Sequence, residues 1–416
     1  MQAEILATGD ELRSGALIDS NSAWIAERLE ETGIRVTRHT TVGDDLDELV
    51  RLFNEAGGRV DIVVVTGGLG PTQDDLSRDA AARAVGAELV LDQDSLDEIE
   101  SFFTARDRSM PPTNRRQAMF PESAEVLRNP VGTAPGFALK IGRATFFFMP
   151  GVPPEMKKML AEQVLPRIHG MIRDDHCYRT VTITTFGIGE SALEEQVRKF
   201  YSLYPEIKLG FRAHFPEVQI KLYLKDESEA GLDRQQEMTV DWLKGKLAHK
   251  IVSLKGKSLP RVVGDLLLER KETLAVAESC TGGLIADLLT DRAGSSGFFL
   301  LSAVTYANTA KQNILGVPAA ILETEGAVSE ACVAAMACGV REKVGATWGL
   351  ATSGIAGPDG GSPEKPVGTI CIGLAGPGGV ETRRYHFPFR QRLYNKKLFA
   401  AQALNRLRLK LLRPAG

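Results

Sequence analysis

Residues 275–289 read A-V-A-E-S-C-T-G-G-L-I-A-D-L-L. A run of small and β-branched residues stops at Glu278, and Ser279, Cys280 and Thr281 then supply three hydroxyl or thiol groups. Gly282 and Gly283 follow, after which Leu284, Ile285, Leu288 and Leu289 recur at helical spacing. This order predicts a strand, a tight turn and a helix. Such a turn aims the N–H groups and positive dipole end of the helix at whatever lies above it, and glycines let a ligand approach the backbone. Anions and developing oxyanions suit that place. The same residues fit a plain N-cap equally well, with Ser279 or Thr281 accepting from the first turn.

Toward the N-terminus the alternation continues, with strands over 4–7, 35–40 and 61–66 separated by helices over 19–31 and 46–53. Alternating elements imply a parallel sheet covered on both faces, with ligands beyond the C-terminal strand ends. Two polar loops fall there, T-G-D-E-L-R-S-G (8–15) and T-G-G-L-G-P-T-Q-D-D (66–75). Thr8, Gly9, Gly67, Gly68, Gly70 and Thr72 are candidates for cradling phosphate. Asp74 and Asp75, with Asp44 and Asp10 from neighbouring loops, are candidate ligands for a hard divalent cation. Thr72 and Asp75 are also spaced as a capping box, which needs no ligand.

The segments N-P-V-G-T-A-P-G-F (129–137) and F-F-F-M-P-G-V-P-P-E-M (146–156) read as rigid loops, and a helix over 154–168 closes a domain of residues 1–170. Residues 174–254 alternate strand and helix without a cluster of ligands or nucleophiles and read as a connecting α+β module. A last domain, 259–416, begins with a helix over 259–270. It continues with an apolar strand 298–305, the loop Y-A-N-T-A-K (306–311), a helix 330–343 and a strand 348–352 running into S-G-I-A-G-P-D-G-G (353–361). Apolar strands 367–374 and 380–387 and a terminal helix complete it. The expected class is α/β: a mostly parallel three-layer α/β/α domain, a small α+β domain and a C-terminal α/β domain.

Composition narrows the function. With 416 residues, 43% hydrophobic and 25% charged, the chain reads as two to three globular domains. A net charge of -3 exerts no global pull on nucleic acid or anionic membranes. The N-terminus has no signal-like segment and no apolar run reaches membrane-spanning length, so a soluble cytoplasmic protein is expected. Five dispersed cysteines, an odd number, indicate neither a disulfide framework nor structural zinc. Residues 382–416 hold ten Lys or Arg and no Asp or Glu. Leu393, Phe399, Leu404, Leu407 and Leu411 form an apolar stripe there, which favours a docked helix with a basic face over nucleic-acid binding.

A nucleophilic Ser279 needs a base. His386 is the sole histidine from residue 254 onward and lies in a strand far from the glycine loops. Lys311 serves better if burial lowers its pKa, with Tyr306 passing or orienting the proton and Asn308 holding substrate. An exposed helix lysine fits the same spacing. The backbone of 280–283 can supply oxyanion donors.

Taken together, A-E-S-C-T-G-G, V-T-Y-A-N-T-A-K, G-A-V-S-E, G-I-A-G-P-D-G-G and K-P-V-G-T resemble the C-terminal domain of the CinA family (competence/damage-inducible protein A). That resemblance implies deamidation of nicotinamide mononucleotide to nicotinic acid mononucleotide and ammonia, without a cofactor. It implies Ser279 as nucleophile, Tyr306 and Lys311 beside it, and substrate binding by Cys280, Thr281, Gly282, Gly283 and Asn308. The opposite wall would comprise Ser353, Gly354, Ala356, Gly357 and Gly360. Ser353 stands where the family pattern usually has threonine, and the hydroxyl is retained. The N-terminal motifs T-G-D-E-L, T-G-G-L-G-P-T-Q-D-D, N-P-V-G-T-A-P-G and M-P-G-V-P-P-E-M resemble the family's molybdopterin-binding-type domain. This implies metal-dependent cleavage of ADP-ribose to AMP and ribose 5-phosphate in some members, with Asp74 and Asp75 as the acidic pair and Asp10, Glu11 and Asp44 in support. A non-catalytic pterin or nucleotide-binding module and a scaffold in DNA uptake or repair are the alternatives. A homodimer is also implied.

Overall fold

The computed structural model describes residues 1–172 and 176–413; the expected boundary at Asp174 and the last three residues to Gly416 lie outside them. The chain divides into two compact units, Met1–Arg179 with Lys225–Leu232, and Thr180–Leu224 with Asp233–Gly416.

The first unit is built on six strands. β1 (Gln2–Thr8), β2 (Arg35–Val42) and β3 (Ile62–Thr66) are linked by helices Ser20–Glu31 and Leu46–Arg59. These helices start where Asp19 and Asp45 accept the N–H groups of Ser22 and Glu48 at 2.9 and 2.8 Å. A small antiparallel pair, β4 (Leu89–Leu91) with β5 (Met119–Pro121), precedes β6 (Glu125–Leu127), β7 (Gly136–Ile141) and β8 (Ala144–Met149). The sheet order is β2-β1-β3-β8-β7-β6. β2, β1, β3 and β8 run parallel, and β7 and β6 extend the sheet antiparallel. Side chains alternate across it: Val63, Val65, Phe146 and Phe148 pack with Phe53 and Phe137 on one face, while Ile62, Val64, Phe147 and Met149 meet Ile25, Leu29 and Met156 on the other. Burial on both faces is why 62–65 reads as an unbroken I-V-V-V run.

β9 (Cys177–Phe186), β10 (Lys208–His214), β11 (Glu217–Asp226) and β12 (Ile251–Ser253), which apart from the first three residues of β9 and the last two of β11 belong to the second unit, form a sheet of order β10-β11-β9-β12. The second sheet of this unit has β13 (Leu274–Glu278), β14 (Phe299–Val304), β15 (Trp348–Gly354), β16 (Thr369–Gly376) and β17 (Gly379–His386), in the order β14-β13-β15-β16-β17. Its first three strands are parallel and the last two antiparallel. Helices Leu259–Arg270 and Arg392–Leu411 cover one face and Glu330–Val344 the other. The C-terminal ends of β13, β14 and β15 therefore deliver residues 279–283, 305–311 and 355–361 to one edge.

Two expectations change. β17 is an edge strand whose residues are mostly exposed, not an apolar one. Leu393 is 61% exposed in the first helical turn, off the stripe that buries Phe399, Leu404, Leu407 and Leu411. Two cations of the tail are paired within the protein: buried Arg408 donates to the carbonyls of Ile251 and His249 at 2.9 and 2.8 Å, and Lys410 pairs with Glu381 at the surface at 2.6 Å. No helix among the described residues is long and apolar enough to cross a membrane.

Candidate active site

Glu278 ends β13, and its wholly buried carboxylate turns back over the glycine turn. Oε2 accepts from the N–H groups of Gly283 and Ile285 at 2.9 and 3.2 Å; Oε1 accepts from Ala286 N–H at 3.0 Å and the Ser302 hydroxyl at 3.3 Å. Gly282 and Gly283 carry φ angles of +61° and +92°, a left-handed pair that lets the chain double back beneath that carboxylate. The start of helix Leu284–Thr290 is thus filled by the protein itself, which corrects both the expected open helix terminus and the expected Ser279 or Thr281 cap. Gly283 is spent as a donor, and Gly282 N–H goes to the Ser279 carbonyl at 3.1 Å. The N–H groups of Cys280 and Thr281 have no backbone acceptor among the described residues. Hydrogen bonds from Ser279 N–H to Thr352 O (3.0 Å) and between the Thr281 and Thr352 hydroxyls (2.9 Å) pin the turn to β15.

Lys311 lies in the first turn of helix Asn308–Leu315 and is 1% exposed, so it is no surface lysine. Its Nζ lies 3.2 Å from Ser279 Oγ, 2.9 Å from Thr305 O and 3.1 Å from Tyr306 O. Burial pushes its pKa below the usual lysine value. Deprotonated, the amine has two N–H bonds and one lone pair. The two carbonyls take the N–H groups, and the lone pair is left for the Ser279 hydroxyl. Cys280 is a poor rival nucleophile, because burial pushes its thiol up to about 12. His386 ends β17, three strands from β13 and on the order of 14 Å away at a strand spacing of about 4.8 Å.

Tyr306 does not place its hydroxyl against Ser279. The side chain is 60% exposed and its oxygen accepts from Arg392 at 2.8 Å; only its carbonyl touches Lys311. Arg392 also donates to Gly357 O at 3.0 Å, and Lys396 Nζ stands 3.5 Å from where a Cβ on Gly282 would sit. Both cations come from the terminal helix and neither is among the expected site residues; Lys396 borders the Gly282 turn, and Arg392 borders the segments at Tyr306 and Gly357. On the facing wall Gly354 abuts Cys280 Sγ, and Ala356 is buried with its carbonyl accepting from Asn395 at 3.0 Å. The Ser353 hydroxyl points to Ala327 O at 2.7 Å and so braces the wall. Asn308 and Gly360 are exposed.

In the first unit, both predicted loops line one cavity of about 620 Å³ with Asn21, Asn129's partner Glu155 and Gly151. The donors are fewer than expected. Gly9 N–H goes to Val42 O, Gly67 N–H to Met149 O, and Gly70 N–H to Asp75 Oδ1. Asp75 also accepts from Thr72 N–H at 2.9 Å and from the Thr72 hydroxyl, so this carboxylate closes its own turn. A Thr72 hydrogen bond holds Asp74 below its ordinary value. Burial raises Asp44, and the negative charges of Asp10, Glu11 and Asp74 add to that, while Asp10 N–H opposes it. Asp10 itself pairs with Arg13 at 3.0 Å. Among the described residues no three His, Cys, Asp or Glu side chains converge as metal ligands would. The glycine loop is held from below by Arg78, fully buried, whose guanidinium donates to Leu69 O and Gly70 O; burial brings its pKa down to about 10.

Residues 256–411 match the model of the CinA C-terminal domain, and residues 4–170 that of a probable molybdopterin binding domain. A CinA-like protein of Desulfosudis oleivorans is 50% identical over 413 residues, covering 99% of this chain and all of that protein. The chain belongs to the CinA family. A second CinA-like protein, from Desulforapulum autotrophicum, is 44% identical over the full length of both chains. The solved competence/damage inducible protein CihA of Agrobacterium tumefaciens is 37% identical over 37% of this chain and 94% of its own, with a TM-score of 0.36. Within this CinA-family chain, the signal for Arg392 lay in the sequence as one of many tail cations, and nothing local separated it from its neighbours.

Proposed function

We propose that the second unit hydrolyses the amide of nicotinamide mononucleotide, yielding nicotinic acid mononucleotide and ammonia. The observation that carries this reading is the lysine amine aimed at Ser279 Oγ with both of its remaining hydrogens held by backbone carbonyls. The Ser279 oxygen attacks the amide carbon as Lys311 takes its proton. The oxyanion falls to the N–H groups of Cys280 and Thr281. Lys311 then protonates the leaving nitrogen, ammonia departs, and an acyl-serine remains. Water, losing its proton to the same amine, splits that ester and returns the proton to Ser279. Arg392 and Lys396 offer charge for the 5′-phosphate. Ammonia release from nicotinamide mononucleotide by the full chain, unaffected by chelator and lost in Ser279→Ala, is the expected result; an active Ser279→Ala variant would refute the nucleophile.

A second reading concerns the first unit. Thr8 Oγ1 and Asn21 Oδ1 line its cavity, buried and without protein partners; the amide oxygen needs a donor, which favours a polar ligand that brings hydroxyl or N–H groups, such as the ribose of a nucleotide. The carboxylates present do not form a ready metal centre, so no cleavage step is assigned to one. Incubating the chain with ADP-ribose, with and without divalent metal, separates the outcomes: AMP release with metal supports the pyrophosphatase that the resemblance implies, and saturable binding without AMP supports a binding module.

A further inference from the structure

The β10–β11 hairpin belongs to the small sheet expected to serve as a connector, yet its tip reaches the first turn of helix Arg392–Leu411, which carries Arg392 and Tyr394. The Phe215 ring centroid lies 5.0 Å from that of Tyr394 and 5.9 Å from that of Phe389, and the latter two rings stack at 6.2 Å. The far side of the tip is tied down as well: Glu217, 7% exposed, accepts the N–H of Leu259 at 2.6 Å. Behind the aromatic contact, Asn395 donates to both Phe389 O (2.8 Å) and Ala356 O (3.0 Å), joining the 389–395 segment to the stretch after β15 that faces Cys280. Arg392 sits between Phe389 and Asn395, bonded to Gly357 O and the Tyr306 hydroxyl.

We propose that Phe215 is a positioning residue for the phosphate side of the deamidase site, clamping Phe389 and Tyr394 so that Arg392 is held against Gly357 O and the Tyr306 hydroxyl. The inference rests on the amidase reading only for its substrate; the ligand chemistry it needs is a ribose 5-phosphate group. Phe389 and Tyr394 are themselves 39% and 43% exposed, so without the Phe215 ring this segment has little apolar packing on its outer side. An arginine presented by a frayed first helical turn pays more ordering entropy when it binds phosphate. The effect falls on ligand binding, and the reacting pair Ser279–Lys311, carried by other elements, is not moved.

The test compares the full-length chain with its Phe215→Ala and Phe215→Tyr variants. Titration calorimetry with ribose 5-phosphate reads binding without turnover, and ammonia release reads KM and kcat for nicotinamide mononucleotide and for nicotinamide riboside, which lacks the phosphate. Phe215→Ala should weaken ribose 5-phosphate about tenfold and raise KM for the mononucleotide similarly, with kcat and riboside turnover within about twofold of the parent. Phe215→Tyr should restore both values. Equal losses with mononucleotide and riboside, or unchanged ribose 5-phosphate affinity in Phe215→Ala, overturn the inference. If the parent chain releases no ammonia yet Phe215→Ala still weakens ribose 5-phosphate, the amidase reading fails and the positioning role stands; a parent that binds no ribose 5-phosphate refutes the positioning role.

Discussion

Replacing Glu278 by glutamine tests the arrangement on which the catalytic turn depends. The carboxylate accepts three backbone N–H groups and one hydroxyl, at 2.9 to 3.3 Å. A glutamine can leave its oxygen with Gly283 and Ile285, and its amide nitrogen can donate to Ser302, but that nitrogen then faces the N–H of Ala286. One charge-assisted bond is lost, about 1.5–3 kcal/mol, and the two that remain weaken as the acceptor loses its charge. Losing a negative charge at a helix start adds about 0.3–1 kcal/mol, while the relieved burial of that charge offsets part of the total. The net expectation is ~2–4 kcal/mol. Urea unfolding followed at Trp348, with Trp24 and Trp242 replaced by phenylalanine, reads the relevant sheet, since Trp348 is on β15 with its indole N–H on Glu272 at 2.6 Å. A loss under about 0.5 kcal/mol would refute the claim that this carboxylate holds the turn. Because Ser279 rides on that turn, kcat should fall with stability even when assays are run far below the unfolding midpoint.

Lys311→Arg should lower kcat by about 10²–10⁴-fold, because a guanidinium stays protonated and cannot take the serine proton. In the parent chain kcat/KM should rise with pH through one ionisation placed below the ordinary lysine value of about 10.4, then level, since the neutral amine is the working form and burial lowers the folded pKa; a profile that falls over that range would contradict the lysine base. Tyr306→Phe should raise KM more than it lowers kcat, as the hydroxyl bonds Arg392 and not Ser279, and steady-state kinetics will show a kcat collapse instead if the hydroxyl moves the proton. Asp75→Ala should destabilise the first unit by about 1–3 kcal/mol in thermal or urea unfolding, because the Gly70 and Thr72 N–H groups lose their acceptor.

What the sequence could carry was set by how local each signal is. Strand runs such as I-V-V-V at 62–65 and the helix 259–270, with Pro260 in its first turn, follow from burial and backbone chemistry within a few residues, and both stand where expected. β12 is three residues long and exists through pairing with β9, so no periodicity could reveal it. The site divides the same way. Ser279 and the two glycines announce themselves in one turn, but whether Lys311 reaches Ser279 depends on β14 lying beside β13, a contact across 32 residues. In the sequence Glu278 marks only the end of a strand, because a carboxylate that caps a helix starting at Leu284 across a left-handed glycine pair matches no capping pattern, in which the cap directly precedes the helix. At Asp75 the two readings compete over identical residues: a metal ligand and a turn-closing acceptor need the same side chain at the same position, and the turn-closing bonds to Gly70 and Thr72 become visible only once the loop is folded. Arg392 is the extreme case. Its partners Tyr306 and Gly357 lie 86 and 35 residues away, and a charge whose role is fixed by two separate loops has no signature within its own helix.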